Sequence, residues 1–221
     1  MEINKYYRQE GIVDLDSLNE HNYTVIGVGA VGRQVALQLT AMGVHRLQLV
    51  DFDTVDETNL ATQAYYYGDI DAEKVEATGA VCQKINPEIE LTLQCEAFTR
   101  RSKSGDIAFM CPDKIKVRED IFNAFRPAEV LIDARVAGWM CRILTIHDEL
   151  TRDYYETTLF KAKEAHQARC TEQMTIFIAN VAAALMLSQL VKYLRELPIE
   201  KDYICNLLSN EMTIMEEEAN G

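Results

Sequence analysis

Closely spaced cysteines, proline, glycine and excess positive charge are all scarce in this 221-residue sequence, and each scarcity removes a class of protein. The six cysteines stand at positions 82, 95, 111, 141, 170 and 205, too far apart for the CxxC spacing of structural zinc sites or dithiol redox centres. With 4 prolines and 10 glycines against 48% hydrophobic and 26% charged residues, disordered and collagen-like classes are excluded as well. Lys and Arg number 22 against 35 Asp and Glu, a net charge of −13, so nucleic acid and anionic membrane surfaces are not expected partners. A small anion such as a nucleoside triphosphate would need a compact, locally positive site to enter that field. The start, Met1 to Lys5, lacks the charged-then-apolar pattern of a secretory signal, so the expected setting is a reducing cytoplasm with free thiols. One uncharged run, Met174 to Val191, has the length of a membrane span, but Thr175, Asn180, Ser188 and Gln189 interrupt it and favour a buried core helix.

The length suits one domain with a sizeable core. After a polar, helix-like lead-in, Tyr23 to Val28 reads as a strand. Val31, Val35, Leu39 and Met42 then form an apolar stripe at helical spacing, closed by Gly43. A second strand, Arg46 to Val50, ends at Asp51 and completes a βαβ unit, which implies a parallel sheet with helices on its faces. Further strands are expected at 89–93, 106–111, 129–133 and 142–146, and helices at 72–85, 116–125 and 173–195. Ser209 to Ile214 reads as an edge strand, Arg100 to Gly105 as a surface loop, and Glu216 to Glu218 as a solvated end. The fold class is therefore α/β, a Rossmann-like mostly parallel sheet flanked by helices. Its nucleotide-binding core is expected at about 22–135, with a substrate-facing helical part at about 136–221.

Gly27-Val28-Gly29-Ala30-Val31-Gly32 is a GxGxxG that follows a strand and opens a helix, the arrangement that brings backbone N–H groups against a nucleotide phosphate. Asp51, about 20 residues on, stands at the tip of the next strand, where a carboxylate accepts hydrogen bonds from ribose hydroxyls. These two features alone also fit an NAD(P)-dependent dehydrogenase. The run Asp51-Phe52-Asp53-Thr54-Val55 through Asn59-Leu60-Ala61-Thr62-Gln63 narrows the choice, because it resembles the DxDxVxxxNLxRQ signature of the ThiF/MoeB family. Tyr7-Arg8-Gln9 is similar to that family's RYxRQ element, and Lys74 falls at its ATP lysine. Asn86-Pro87 matches its NP pair, and Cys111-Pro112-Asp113-Lys114-Ile115-Lys116-Val117-Arg118 looks like its CTDNxxxR segment. Cys170-Thr171 precedes the long helix, as a reactive cysteine does in some members. The resemblance runs from about residue 5 to residue 195.

The resemblance implies adenylation of the C-terminal glycine of a ubiquitin-like or sulfur-carrier protein, with ATP and Mg²⁺ as cofactors. Gly27, Gly29, Ala30, Val31 and Gly32 would cradle phosphate and Asp51 and Asp53 would serve the nucleotide, while Lys74 would supply a cation. Asp113 would hold Mg²⁺. Asn59 and Gln63, polar groups with no evident core role, would orient phosphate or substrate. Arg8 would reach in from the second subunit of a homodimer, and Cys170 would be a thioester or persulfide nucleophile. Each assignment has an ordinary alternative: a solvated helix lysine at 74, a helix N-cap at Asp113, a surface charge at Arg8, a small buried side chain at Cys170. Three departures from the family pattern matter. Thr62 stands where the family has arginine, with Arg135 either its substitute or an ion-pair partner of Asp133. Lys114 replaces the asparagine after the metal aspartate, and the family's paired zinc cysteines are lacking. Thr62 and Lys114 also leave open a non-catalytic nucleotide-binding scaffold that works beside an active subunit.

Overall fold

The computed structural model describes residues 4–124, 130–159 and 174–215; Cys170 and the acidic stretch at 216–218 lie outside them. A single eight-stranded sheet has the order β3-β2-β1-β4-β5-β6-β7-β8. Its parallel half consists of β1 (Tyr23–Ile26), β2 (Arg46–Val50), β3 (Glu90–Gln94), β4 (Ile107–Met110) and β5 (Val130–Ala137). The antiparallel half continues from β5 through β6 (Met140–Ile146), β7 (Asp202–Asn206) and β8 (Glu211–Ile214). All four residues of β1 and of β4 are buried, as central parallel strands covered on both faces must be.

Helices cover the two faces unequally. On one face lie α2 (Ala30–Met42), α4 (Lys74–Ile85) and the long α7 (Ile176–Leu194), packed over Val25, Leu47, Phe109 and Ile132 in the larger apolar core. On the other lie α5 (Ile115–Ala124) and α6 (Glu149–Thr157), which seal Ile26, Met110, Leu131 and Leu144 beneath Phe122 and Tyr155. The short α1 (Leu15–Glu20) and α3 (Glu57–Gln63) sit at opposite ends of the sheet's parallel half, each opened by an aspartate cap, Asp14 and Asp56.

The expected βαβ unit is present, and Gly43 closes α2 in the left-handed conformation at φ +105°. The uncharged run forms α7, long and apolar enough to cross a membrane; here Ile178, Ala182, Met186 and Leu190 are buried against α2 and the sheet. The edge strand expected near 209–214 pairs with β7 of its own chain. The antiparallel half departs most from expectation. Strands were expected to end at Asp133 and resume at Arg142, whereas β5 and β6 form one hairpin from Val130 to Ile146. Their central arginines are carried into the sheet by ion pairs, Arg135 with Asp133 and Arg142 with Asp202. Because β5 runs through residue 135, the core expected at 22–135 and the part beyond it share one sheet.

Candidate nucleotide site

Strand order reverses between β1 and β4, and a crevice opens outside their C-terminal ends, the position where doubly wound sheets hold ligands. The chain leaves β1 through Gly27 at φ +86°, whose N–H donates to the Val50 carbonyl at 2.8 Å. Helix α2 starts at once, and its N-cap, Gly29, has no side chain with which to satisfy the first-turn N–H groups. Those donors and the positive end of the helix dipole therefore remain available to an anion. The approach of helix to strand depends on Gly32: a Cβ there would stand 1.8 Å from the Gly27 carbonyl oxygen.

Around this loop lies a cavity of about 550 Å³, walled by Gly29 to Val31, Asp51, Asn59, Gln63, Lys74 and the 111–114 segment. Asp51 is 9% exposed, and its two oxygens accept from the Val28 N–H at 2.5 Å and the Asp53 N–H at 2.8 Å. Burial raises its pKa above the ordinary carboxylate value, against the pull of those two N–H groups. Lys74 is buried and its ammonium meets the half-exposed Asp53 carboxylate at 3.0 Å, so this lysine is no solvated helix charge. Gln63 turns its Oε1 into the site, buried and without a hydrogen-bond partner, close enough to the glycine loop that a Cβ on Gly29 would lie 3.8 Å away.

Asp113 stands exposed at the cavity mouth and is held by no other described group. The N-cap alternative therefore finds no support, since the carboxylate accepts nothing from the first turn of α5. Lys114 lines the same mouth. Among the described residues no three His, Cys, Asp or Glu side chains converge on one point, so a resident all-protein metal cage is not formed by them. One free carboxylate facing a phosphate-sized space suits Mg²⁺, which binds through one or two carboxylates together with substrate phosphates.

Asn59 does have a structural task, contrary to expectation. Its Oδ1 accepts from the Asp56 N–H at 3.2 Å while the Asp56 carboxylate accepts from the Thr58 N–H at 2.7 Å, a reciprocal cap on α3. Arg135 does not replace the cation missing at Thr62 either. Its Nε donates to Asp133 at 2.9 Å and its terminal nitrogens to Thr158, outside the cavity. Arg8 is exposed beside the far end of α2, where the neighbouring Gln9 donates to the Met42 carbonyl and Tyr6 packs against Gly43. Thirteen helical residues, roughly 20 Å, separate that end from the glycine loop, beyond the reach of one arginine side chain.

The Arg135–Asp133 ion pair given as the alternative is present, and two features beyond it were missed. Behind the 111–114 segment the fully buried Asp133 joins Arg118, Arg135 and the Tyr155 hydroxyl, the last at 3.0 Å. Arg118 also donates to the carbonyls of Pro112 at 2.5 Å and Ala134 at 2.9 Å, which ties the Asp113 segment to the middle of β5. Burial pushes the Tyr155 hydroxyl up, keeping it a neutral donor. The DAR triplet at 133–135 was the signal for this cluster. The second is Arg33, buried one turn inside α2 with no acidic neighbour in sequence to mark it. Of the described cysteines, 82, 95, 111 and 141 all have thiols pushed upward. Burial is the main cause except at Cys95, where the Glu73 carboxylate at 2.8 Å raises it to about 11. None of these four is an activated nucleophile.

The chain resembles known proteins in sequence and in fold. The ThiS adenylyltransferase of Escherichia coli (sulfur carrier protein ThiS adenylyltransferase) is 30% identical over 128 residues, covering 53% of this chain and 51% of its own. The molybdopterin-synthase adenylyltransferase of Salmonella typhimurium is 30% identical over 112 residues, 48% of this chain and 45% of its own. Ubiquitin-like modifier-activating enzyme 5 of Bombyx mori is 28% identical over 134 residues, 53% and 34% respectively. The matches thus span about half the length of these relatives or less. Among solved structures, E. coli MccB with ATP superposes with a TM-score of 0.75 over 97% of this chain and 72% of that one, at 17% identity. PaaA does so with 0.74 over 96% and 82%, also at 17% identity. At such identity the likeness is one of fold. The ThiF family model matches residues 5–220, essentially the whole sequence, and the chain belongs to the ThiF family.

Proposed function

We propose that this chain binds ATP in the switch-point cavity and adenylates the C-terminal carboxylate of a ubiquitin-like or sulfur-carrier protein, releasing pyrophosphate. The observation that carries this reading is the convergence, in a ThiF-family chain, of an uncapped helix N-terminus, a buried lysine and a free carboxylate on one cavity. In this reading the first-turn N–H groups of α2 hold phosphate oxygens and Asp51 receives the ribose hydroxyls. Lys74 exchanges Asp53 for the phosphates as they enter, and Gln63 directs a polar contact at the same place. Asp113 would hold Mg²⁺, which when bound would neutralise charge on the departing pyrophosphate. The carrier's carboxylate oxygen attacks the α-phosphorus, the bond to the bridging oxygen breaks, and an acyl-adenylate is left. Such in-line transfer needs positioning and charge compensation rather than covalent help from the protein.

The proposal extends to a homodimer on the family resemblance, with Arg8 exposed and out of reach of its own cavity. It also covers one activating domain over 1–221, supported by the single sheet its described strands form, in a reducing cytoplasm. A nucleophilic Cys170 stays a proposal from the family resemblance alone. The scaffold reading is favoured by one observation: Thr62 lines the cavity where an arginine would add charge. ATP–pyrophosphate exchange separates the two. The enzyme reading expects exchange that appears on adding a carrier ending in glycine and requires Mg²⁺. Tight ATP binding without exchange for any carrier, restored only by a partner protein, supports the scaffold.

A further inference from the structure

Beside the buried Arg118 and the half-buried Arg135 and Arg142, Arg33 is exceptional. Arg118 and Arg135 face Asp133, and Arg142 faces Asp202. Arg33, 1% exposed, makes no ion pair among the described residues, although the chain carries 35 acidic side chains. Its guanidinium donates to the Thr78 hydroxyl at 3.0 Å and to the Ala64 carbonyl at 3.2 Å, and lies 4.2 Å over the Tyr65 ring. Its Nε is buried with no acceptor. A cation removed from water and answered only by dipoles and a ring is costly to keep, and it projects its charge through a medium that screens poorly.

The surroundings say where that charge is directed. The Arg33 N–H bonds the Gly29 carbonyl at 2.9 Å, which puts the residue one turn behind the open N–H groups of α2. Ala64, whose carbonyl it holds, directly follows the cavity residue Gln63 and sits in the left-handed region at φ +58°, a conformation a non-glycine residue keeps only when held there. Tyr65, beneath the guanidinium, donates its hydroxyl to the Val28 carbonyl of the glycine loop at 2.6 Å. One cation therefore ties the loop to the end of α3 and stands behind the place where an anion would sit, while nearby Lys74 is occupied by Asp53.

We infer that Arg33 is a positioning residue that supplies the second, fixed positive charge of the polyphosphate site, its missing counter-ion being the nucleotide itself. This rests on the cavity being the ATP site. The charge acts from behind the helix turn rather than by direct contact, so its effect scales with the phosphates present and is indifferent to the base and sugar.

The test is a calorimetric affinity series of adenosine, AMP, ADP and ATP in excess Mg²⁺ with the wild-type chain, Arg33→Lys and Arg33→Gln. Arg33→Gln is expected to weaken ATP by about tenfold or more and adenosine by less than about twofold, with AMP and ADP in between. Arg33→Lys, which keeps the charge and loses the fork, is expected within about threefold of wild type for ATP. Equal losses across the series, or no loss with ATP, overturn the inference. Should Arg33→Gln fail to fold, the Arg33 Nε–H resonance of the wild-type chain decides: it moves with ATP and stays with adenosine, and a resonance unmoved by ATP overturns the inference. A wild-type chain that binds none of the four overturns both this inference and the nucleotide site beneath it, whereas ATP binding with a flat mutant series overturns this inference alone.

Discussion

Replacing Asp113 by alanine is expected to lower ATP–pyrophosphate exchange by about 10²–10³-fold, the usual cost of one contact made to charge developing in the transition state. The same substitution should leave the melting temperature where it was. Asp113 is exposed and bonded to no described group, and surface changes of that kind stay within about 0.5 kcal/mol. The split between rate and stability makes this variant informative. Lys74→Ala would also remove activity, but it would strand Asp53 beside a cavity and confuse the two effects. Parallel exchange assays and thermal melts check the prediction. An Asp113→Ala enzyme that exchanges as fast as wild type would remove the metal-holding role, and a large loss of stability would mean that the carboxylate serves the fold.

Asp133→Ala has the opposite signature. Asp133 is completely buried between Arg118 and Arg135 and also receives the Tyr155 hydroxyl. Its removal leaves two guanidinium groups without their carboxylate in a dry layer, and breaking a buried pair from one side costs about 3–5 kcal/mol. For a chain of this size that lowers the melting temperature by about 10 °C. Activity should fall as well, because Arg118 holds the Pro112 carbonyl and thereby the segment carrying Asp113. Arg118→Met in the Asp133→Ala background should recover part of the stability, since it removes one of the two stranded charges, but none of the activity. Denaturant melts of the single and double variants measure this, and a loss below about 1 kcal/mol for Asp133→Ala would show the cluster to be dispensable.

These two residues mark how far the sequence could be read. The glycine loop, α2, β2 and Asp51 were legible because periodicity and local turn chemistry decide them: a short apolar strand, a helical stripe and Gly43 in a left-handed cap. The β5–β6 hairpin was not, because Arg135 and Arg142 stand opposite each other in register and interrupt the apolar pattern. What makes them admissible is an aspartate for each, Asp133 two residues from Arg135 and Asp202 sixty residues from Arg142, and only the second is tertiary. Strand β7 escaped notice for the same reason, since it begins on that buried Asp202. Helix α6 is short and polar, and its start is declared only by the reciprocal cap between Asp148 and Thr151.

The site divides similarly. Lys74, Asp113, Gln63, Asn59, Gly27 and Gly29 line one cavity, whereas Gly32 serves the close approach of α2 to β1 and does not line it. Asn59 caps α3 as well as lining the cavity, and Arg8 stands at the wrong end of α2 for its own cavity. Arg33 gave no signal because its partners, Ala64, Tyr65 and Thr78, come from two other segments and none is acidic.

The central claim is that a carrier's carboxylate attacks the α-phosphorus of ATP in this cavity. The most direct measurement supplies a carrier whose C-terminal carboxylate bears a heavy-oxygen label, lets the adenylate form, cleaves it with an added amine or thiol, and weighs the AMP released. The attacking oxygen stays on phosphorus when the acyl bond is cut, so the account predicts AMP carrying one heavy oxygen, in an amount that tracks the carrier consumed. Unlabelled AMP, with both heavy oxygens still on the carrier, would contradict it.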